Sequence, residues 1–263
     1  MKPLNVDTSH WGQITVHGDD RKRFLHGMCT SDIERLAEGE SLIASILNVK
    51  GRLVSIVEIV SRSDHHLILC QPAMREPTIE FLDQFAMVDD VEFAASEQPL
   101  HKVWSDPQAV WTAPVVFAAA PEPVASADEV EVRRIEAGFP RYGVDVGEKN
   151  FPFETPLDRH IDYQKGCYIG QEPVARVKSR GTASRYLRGL RVAGEGPVTV
   201  GAAVDHPEKP GAARITSAAV SPEFGSIALA LMPRVAWDVG AQVEIEGRSA
   251  TIVELPFGAG PSC

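Results

Sequence analysis

The alternation of hydrophobic and polar residues in the first part of the chain predicts β-strands with short helices between them. GQITVHG (12–18) alternates as a strand does, and HHLILC (65–70) is a second apolar run of strand length. Segment 41–60 contains two β-branched runs around a turn, which predicts a hairpin with Gly51 at positive φ. EPTIEFLDQFAM (76–87) places its apolar residues on one face and is therefore predicted to form a helix.

The pattern changes in the last third of the chain, where short β-branched runs are separated by Gly and Pro turns. RYLRGLRVAG (185–194) and AQVEIEG (241–247) are typical of a small antiparallel β-barrel. We therefore predict an α+β region at residues 1–180 and a C-terminal barrel domain at 182–263. The junction carries KGCYIGQEPVARVKSRG (165–181), and clefts between domains commonly bind ligands.

Composition and charge restrict the partners. The chain has 263 residues, 44% of them hydrophobic, and a formal net charge of −10. Such an acidic surface disfavours nucleic acid and membranes as partners, so an anion site must be local. No apolar run approaches the roughly 20 residues that span a bilayer, and the N-terminus lacks the apolar core of a signal peptide. The four cysteines are far apart, so we expect no metal site and a reducing, cytoplasmic location.

Cys167 has the surroundings of a reactive thiol. Glycines before and after it leave the sulfur uncrowded, and a helix predicted to begin nearby would direct its positive end towards a thiolate. Nearby cations would also favour the thiolate. These cations are Lys165, Arg176, Lys178 and Arg180. The alternative is a small cysteine that fills core space, as most cysteines do.

Two further features allow more than one interpretation. No Asp or Glu interrupts the cations between residues 173 and 194, which indicates a solvated face, a groove for a carboxylate or phosphate, or a weak nucleic-acid site. Glu136, in RRIEAGFPRYG, is either a surface acid paired with Arg133 or Arg134, or an inward acid. In the second case it would need paired N–H donors, such as the edge of a pterin or a guanine.

Several motifs together resemble one protein family. KGCYIGQE (165–172) is similar to the signature of the YgfZ-type folate-binding proteins, a branch of the superfamily of the glycine-cleavage T-protein, an aminomethyltransferase. FLHGMCTSDIERL (24–36) and LNVKGR (47–52) resemble the first-domain motif and the hairpin of that superfamily. RIEAGFPRYG (134–143) resembles its pterin-site segment. The resemblance extends over most of the chain.

This resemblance implies a three-domain, ring-like T-protein fold in which residues 1–180 form two intertwined subdomains. It implies tetrahydrofolate, or a derivative, bound in the central opening. It also implies a role in the assembly or repair of iron–sulfur enzymes, with client or assembly proteins as partners.

The resemblance also assigns residues. Cys167 would be the functional thiol and Lys165 would act beside it. Glu136 would grip the pterin and Trp11 would stack on a flat ring of the folate. The remaining folate-site residues would be Tyr168 and Gln171 near the thiol, with Arg176, Lys178 and Arg180 near the glutamate tail.

One departure from the superfamily affects the expected chemistry. The T-protein carries an acid for catalysis shortly after the hairpin glycine, and this chain has Ser55 there. A serine cannot stabilise a developing ammonium as an anion does. Glu58 lies three residues further on and should face the opposite side of the strand. Aminomethyl or methyl transfer is therefore the alternative function, and the accessory role is favoured.

Overall fold

The computed structural model describes residues 1–181 and 183–258, and only the backbone of Lys178 and Arg180. The predictions for these two side chains, and parts of the predicted domain at 182–263, therefore lie outside the described residues. No helix in the described part of the chain is both long enough and apolar enough to cross a membrane.

Short helices alternate with strands up to residue 180, and strands dominate after it. The α-helices are α1 (Arg21–Met28), α2 (Arg75–Asp83), α3 (Ala109–Thr112), α4 (Ala127–Ala137) and α5 (Gln171–Arg180). The strands before α5 are β1 (Leu4–Asp7), β2 (Gly12–His17), β3 (Ser41–Leu47), β4 (Leu53–Ser61), β5 (His66–Cys70), β6 (Glu92–Ser96) and β7 (His101–Trp104). The later strands are β8 (Arg185–Val192), β9 (Ala203–His206), β10 (Lys209–Ser221), β11 (Gly225–Pro233), β12 (Gln242–Ile245) and β13 (Arg248–Val253).

A five-stranded antiparallel sheet, in the order β3-β4-β5-β2-β6, organises the first part of the chain. The predicted hairpin is confirmed, because β3 and β4 pair around a turn in which Gly51 has a φ of 73°. Both faces of the sheet are covered. One face packs with α1 and α2 through an apolar cluster that includes Ile59, Leu25 and Leu82.

The other face of the sheet packs against the middle of the chain. Ile43 and Ile56 share an apolar cluster with Trp104 and Trp111 there. Helix α4 closes this side. It begins with a capping box between Ser126 and Glu129 and ends at Gly138, whose φ of 68° is the left-handed conformation typical of a helix C-terminus.

The last six strands form a closed antiparallel barrel in the order β10-β11-β8-β13-β12-β9. Aliphatic side chains such as Leu190 and Ile252 fill its interior. The barrel joins α4 through Ile135, which packs with Leu187, Ile227 and other buried residues. The predicted α+β fold with a C-terminal antiparallel barrel is therefore confirmed.

The hairpin turn and the signature segment pack against each other backbone to backbone. Gly170, which precedes α5, has a φ of 80°. A Cβ atom on it would lie 2.5 Å from the carbonyl oxygen of Asn48 and 3.0 Å from Cα of Gly51. A side chain at this position therefore requires the hairpin turn to shift.

We predict that Gly170→Ala destabilises the protein more than Gly39→Ala. Gly39 has nearly the same φ, 83°, but nothing lies within 4 Å of a Cβ placed there. Both substitutions place an alanine in the left-handed conformation, so both variants carry that backbone strain. The difference between their losses of unfolding free energy therefore measures the clash of the new Cβ with the hairpin turn, which should cost about 1–3 kcal/mol. Urea unfolding at pH 7 measures both variants. Equal losses of stability in the two variants would show that the hairpin turn moves to accommodate the new Cβ without a measurable cost.

Candidate functional site

A cavity of about 260 Å³ lies between the five-stranded sheet and α4. It is enclosed by β3, β4, the end of β5, β7, α3, α4 and the chain after α4. The lining residues are His10, Trp11, Ile43, Ile56, Val57, Glu58, Leu69, Gln71, Pro72, Trp104, Val110, Val130, Glu131, Arg134, Phe139, Pro140 and Arg141. Ligand pockets commonly combine such an apolar lining with a few polar groups.

Aromatic and aliphatic side chains make the cavity suitable for a flat ring. Trp11 and Trp104 come from separate segments, and Phe139 follows the end of α4. Aromatic faces of this kind stack on planar heterocycles. Trp11 was predicted to contact a ligand, and the structure places it at the cavity; its contact with folate stays a prediction.

An ion pair is buried in the cavity wall. Lys102 Nζ on β7 lies 2.8 Å from Oε2 and 3.1 Å from Oε1 of Glu58 on β4. Ser41 Oγ also donates to Glu58 Oε1, at 2.7 Å. The side chains of Lys102 and Glu58 are only 1% and 7% exposed. A charge this buried needs such a partner.

Ser55 faces the opposite side of β4, as the sequence predicts. Its hydroxyl accepts a hydrogen bond of 3.0 Å from Thr78 on α2. The cavity, however, lies on the Glu58 side of the strand. Strand alternation correctly predicts that Ser55 and Glu58 face opposite sides of β4. It could not show which side holds the cavity, because both faces of the sheet are covered.

A second charged cluster lies in the α4 wall. Arg134 donates to both oxygens of Glu131 at 2.8 and 2.9 Å, and Arg141 donates to Oε1 of Glu131. Arg134 also donates to Asp145 at 2.7 Å and to Ser217 on β10 at 2.7 Å. These bonds fix the cavity wall to the barrel. Sequence reasoning missed this cluster because it depends on contacts between distant segments.

Glu136 lies outside the cavity lining. It is 3% exposed, with Oε2 at 3.2 Å from Nε of Arg133 and Oε1 accepting a 2.6 Å hydrogen bond from Ser221. The sequence allowed either an inward acid or a surface acid paired with an arginine. The structure combines parts of both, because Glu136 is buried and is also paired with Arg133. Its partners are protein groups from α4 and β10, and its predicted contact with a pterin stays untested.

The signature segment carries Cys167 on the surface. Among the cysteines that the structure describes, Cys167 is exposed, and Cys29 and Cys70 are buried. Burial raises the pKa of the Cys29 thiol, and it raises that of Cys70 to about 12. Of these three thiols, that of Cys167 is therefore the one that a partner can reach. It does not line the cavity.

Lys165 anchors this segment to the end of α1. Its ammonium donates to the carbonyl oxygens of His26 at 2.5 Å, Cys29 at 2.8 Å and Ser31 at 2.7 Å. An ammonium has three N–H bonds, so all of them are used. Burial lowers the pKa of Lys165, and nearby acids oppose this shift. The residue has a positioning role, and its chemical role beside the thiol stays a prediction.

The other predicted folate residues lie around the signature segment. Tyr168 is buried in the core beside the ammonium of Lys165, and burial raises its pKa to about 12. Gln171 begins α5, and Arg176 is exposed on that helix. None of these three lines the cavity. No group of three or more metal-binding side chains occurs among the described residues.

An open groove continues from the cavity past His10 and Trp11, which line both spaces. The groove has a volume of about 460 Å³. Its other lining residues are Ser9, Arg75, Glu97, Gln98 and Pro99. A ligand with a flat end in the cavity could extend a polar tail along this groove.

Comparison with known proteins identifies relatives of the chain. No protein-family model matches it. The tRNA-modifying protein YgfZ of Klebsiella pneumoniae is 25% identical over 231 residues, covering 70% of this chain and 71% of that protein. The protein of the same name from Aliivibrio fischeri is 24% identical over 293 residues, covering 95% and 91%. The crystal structure of the glycine cleavage system aminomethyltransferase T from Bartonella henselae matches with a TM-score of 0.82 and 18% identity, covering 97% and 86%.

We predict that Lys165→Met lowers the free energy of unfolding by about 3 kcal/mol. The substitution keeps the side chain long but leaves three carbonyl oxygens without their charged donor, and each loss is costly in a buried setting. Lys209→Met, at an exposed position on the barrel, is the matched control and should have little effect. Chemical denaturation measures both variants. If the Lys165→Met variant is as stable as the wild-type protein, the positioning role of Lys165 is contradicted.

Proposed function

Because this chain is a distant homologue of the YgfZ proteins and has the fold of the glycine-cleavage T-protein, we propose that it is a folate-binding accessory protein. In this proposal it supports the assembly or repair of iron–sulfur enzymes, with Cys167 as the functional thiol. The observation that carries the folate half is the aromatic cavity beside the sheet. The pterin of a tetrahydrofolate would occupy this cavity, and the glutamate tail would extend along the groove past Trp11.

The exposure of Cys167 supports the second half of the proposal. A thiolate can bind iron or attack an electrophile only if a partner reaches it. Iron–sulfur clusters usually take four cysteine ligands, so one thiol would act transiently, together with ligands from a client or assembly protein. The rigid attachment of the loop through Lys165 presents the sulfur in a fixed place.

A folate-dependent one-carbon transferase is the alternative, and the position of Glu58 favours it. This carboxylate borders the cavity on the strand where the T-protein carries its acid. Glu58 is, however, paired with Lys102 and bonded to Ser41, so its charge is largely compensated. Turnover of a methylamine donor with tetrahydrofolate would support the transferase and count against the accessory role.

The relatives' printed name, tRNA-modifying protein, suggests a third function, in which the chain acts on tRNA. The net charge of −10 opposes it. Some of the cations between residues 173 and 194 are also bonded within the protein. Arg185 pairs with Glu154 at 3.1 Å, and Arg188 donates to the carbonyl oxygen of Trp237 at 3.0 Å. Binding to tRNA that weakens steeply with added salt would support this function.

We predict that 5-formyltetrahydrofolate binds the protein and quenches its tryptophan fluorescence, because Trp11 and Trp104 line the cavity. Trp11→Leu should weaken binding roughly tenfold through loss of aromatic stacking. Trp237→Leu, in the barrel and outside the cavity lining, is the matched control. Calorimetry measures all three proteins. If the wild-type protein does not bind 5-formyltetrahydrofolate, the proposal that the protein binds folate is refuted.

We predict that Cys167→Ser impairs iron–sulfur enzymes in cells without weakening folate binding. Serine keeps the size of the side chain but removes the thiolate chemistry, and Cys167 does not line the cavity. The variant is expressed in a strain that lacks the native gene, beside wild type and Trp11→Leu. The activities of several iron–sulfur enzymes are then measured. Wild-type activities in the Cys167→Ser strain would refute a role for the thiol.

A further inference from the structure

The cavity lining includes a buried hydrogen-bond donor without a partner among the described residues and a carboxylate that can accept a further hydrogen bond. The donor is Nε1 of Trp104, which has no hydrogen-bond partner among the described residues although Trp104 is only 2% exposed. The carboxylate is that of Glu58. Within the described part of the chain its Oε2 accepts from Lys102 alone, whereas Oε1 accepts from both Lys102 and Ser41. Each carboxylate oxygen can accept two hydrogen bonds, so Oε2 retains one free position.

Strand geometry relates the two groups through Lys102. Lys102 and Trp104 are two residues apart on β7, so their side chains point to the same face. Lys102 reaches Glu58, and Trp104 and Glu58 both line the cavity. A donor and an acceptor therefore both border the cavity.

A buried indole N–H without an acceptor destabilises the folded protein unless a bound molecule supplies one. The lining around it is apolar and aromatic, with Ile56, Leu69 and Val110 among its members. The molecule that fits must therefore be flat and must carry an acceptor next to an N–H donor. A lactam edge, in which a ring C=O adjoins a ring N–H, has this arrangement.

We propose that Trp104 and Glu58 recognise the lactam edge of the heterocycle bound in the cavity. The indole N–H donates to the ring carbonyl, and Oε2 of Glu58 accepts from the adjacent N–H. This assignment rests on the proposed folate function, because the pterin of a folate carries such an edge. Lys102 holds Glu58 in place and balances its charge, so the site binds a neutral ring.

The proposal gives Glu58 the role that the family resemblance assigns to Glu136. Glu136 is bonded to Arg133 and Ser221 outside the cavity lining. Glu131 does line the cavity but is bonded by two guanidinium groups, those of Arg134 and Arg141. The cationic partner of Glu58 is instead one ammonium, that of Lys102, and Trp104 on the same face of β7 carries a buried N–H that has no partner among the described residues.

The test uses the full-length protein and calorimetry with three probes. These are 5-formyltetrahydrofolate, 6-methylpterin and p-aminobenzoylglutamate, which lacks the heterocycle. Trp104→Phe removes the N–H and keeps an aromatic ring. The double variant Glu58→Gln/Lys102→Met removes both charges together, so that no buried charge is left alone. Trp237→Phe is the control for an indole outside the cavity, and Glu136→Gln tests the rival acid.

Both cavity variants should bind 5-formyltetrahydrofolate and 6-methylpterin roughly tenfold more weakly than wild type, the effect of one or two hydrogen bonds. Their affinity for p-aminobenzoylglutamate should match wild type, which a general disruption of the cavity would not allow. Undiminished binding of 5-formyltetrahydrofolate by both variants, or a loss confined to Glu136→Gln, would overturn the assignment while the folate function stands. If wild type binds none of the probes, the folate function falls and the assignment falls with it.

Discussion

The ammonium of Lys165 and its three carbonyl acceptors determine where the exposed cysteine lies. A buried positive charge is tolerable only when it is fully hydrogen-bonded, and the carbonyls at the end of α1 provide this. The negative end of the helix dipole adds to the attraction. Because the bonds join residues more than 130 positions apart, the position of the loop that carries Cys167 depends on α1 and is not set by local sequence alone.

The β3–β4 hairpin links this loop to the cavity. Its turn packs against Gly170 at the start of α5, and its second strand carries Glu58 in the cavity wall. The thiol and the cavity are therefore separate places that are joined by one hairpin.

Much of the fold follows from local sequence pattern, and much of the site does not. The hairpin around Gly51 and the helix end at Gly138 are determined by local backbone preferences, so their sequences predict them. The roles of Lys165 and Glu58 depend on contacts with distant strands and helices. Alternation along β4 separates Ser55 from Glu58, but only the packing of β7 and α4 places the cavity beside Glu58. The surroundings of Glu136 also could not be predicted from local sequence, because its partner Ser221 is 85 residues away.

The bonds from Arg134 to Asp145 and Ser217 have a thermodynamic consequence. They attach the barrel to the cavity wall, since Ser217 lies on β10 and the same guanidinium holds Glu131 in place. Asp145 is fully buried and also accepts from Thr216 and Ser217 on β10, so separating the barrel from α4 would take two hydroxyl donors from Asp145 and one hydroxyl acceptor from Arg134. A molecule that bound only the assembled wall would therefore also stabilise the contact between α4 and the barrel, including strands that it does not touch.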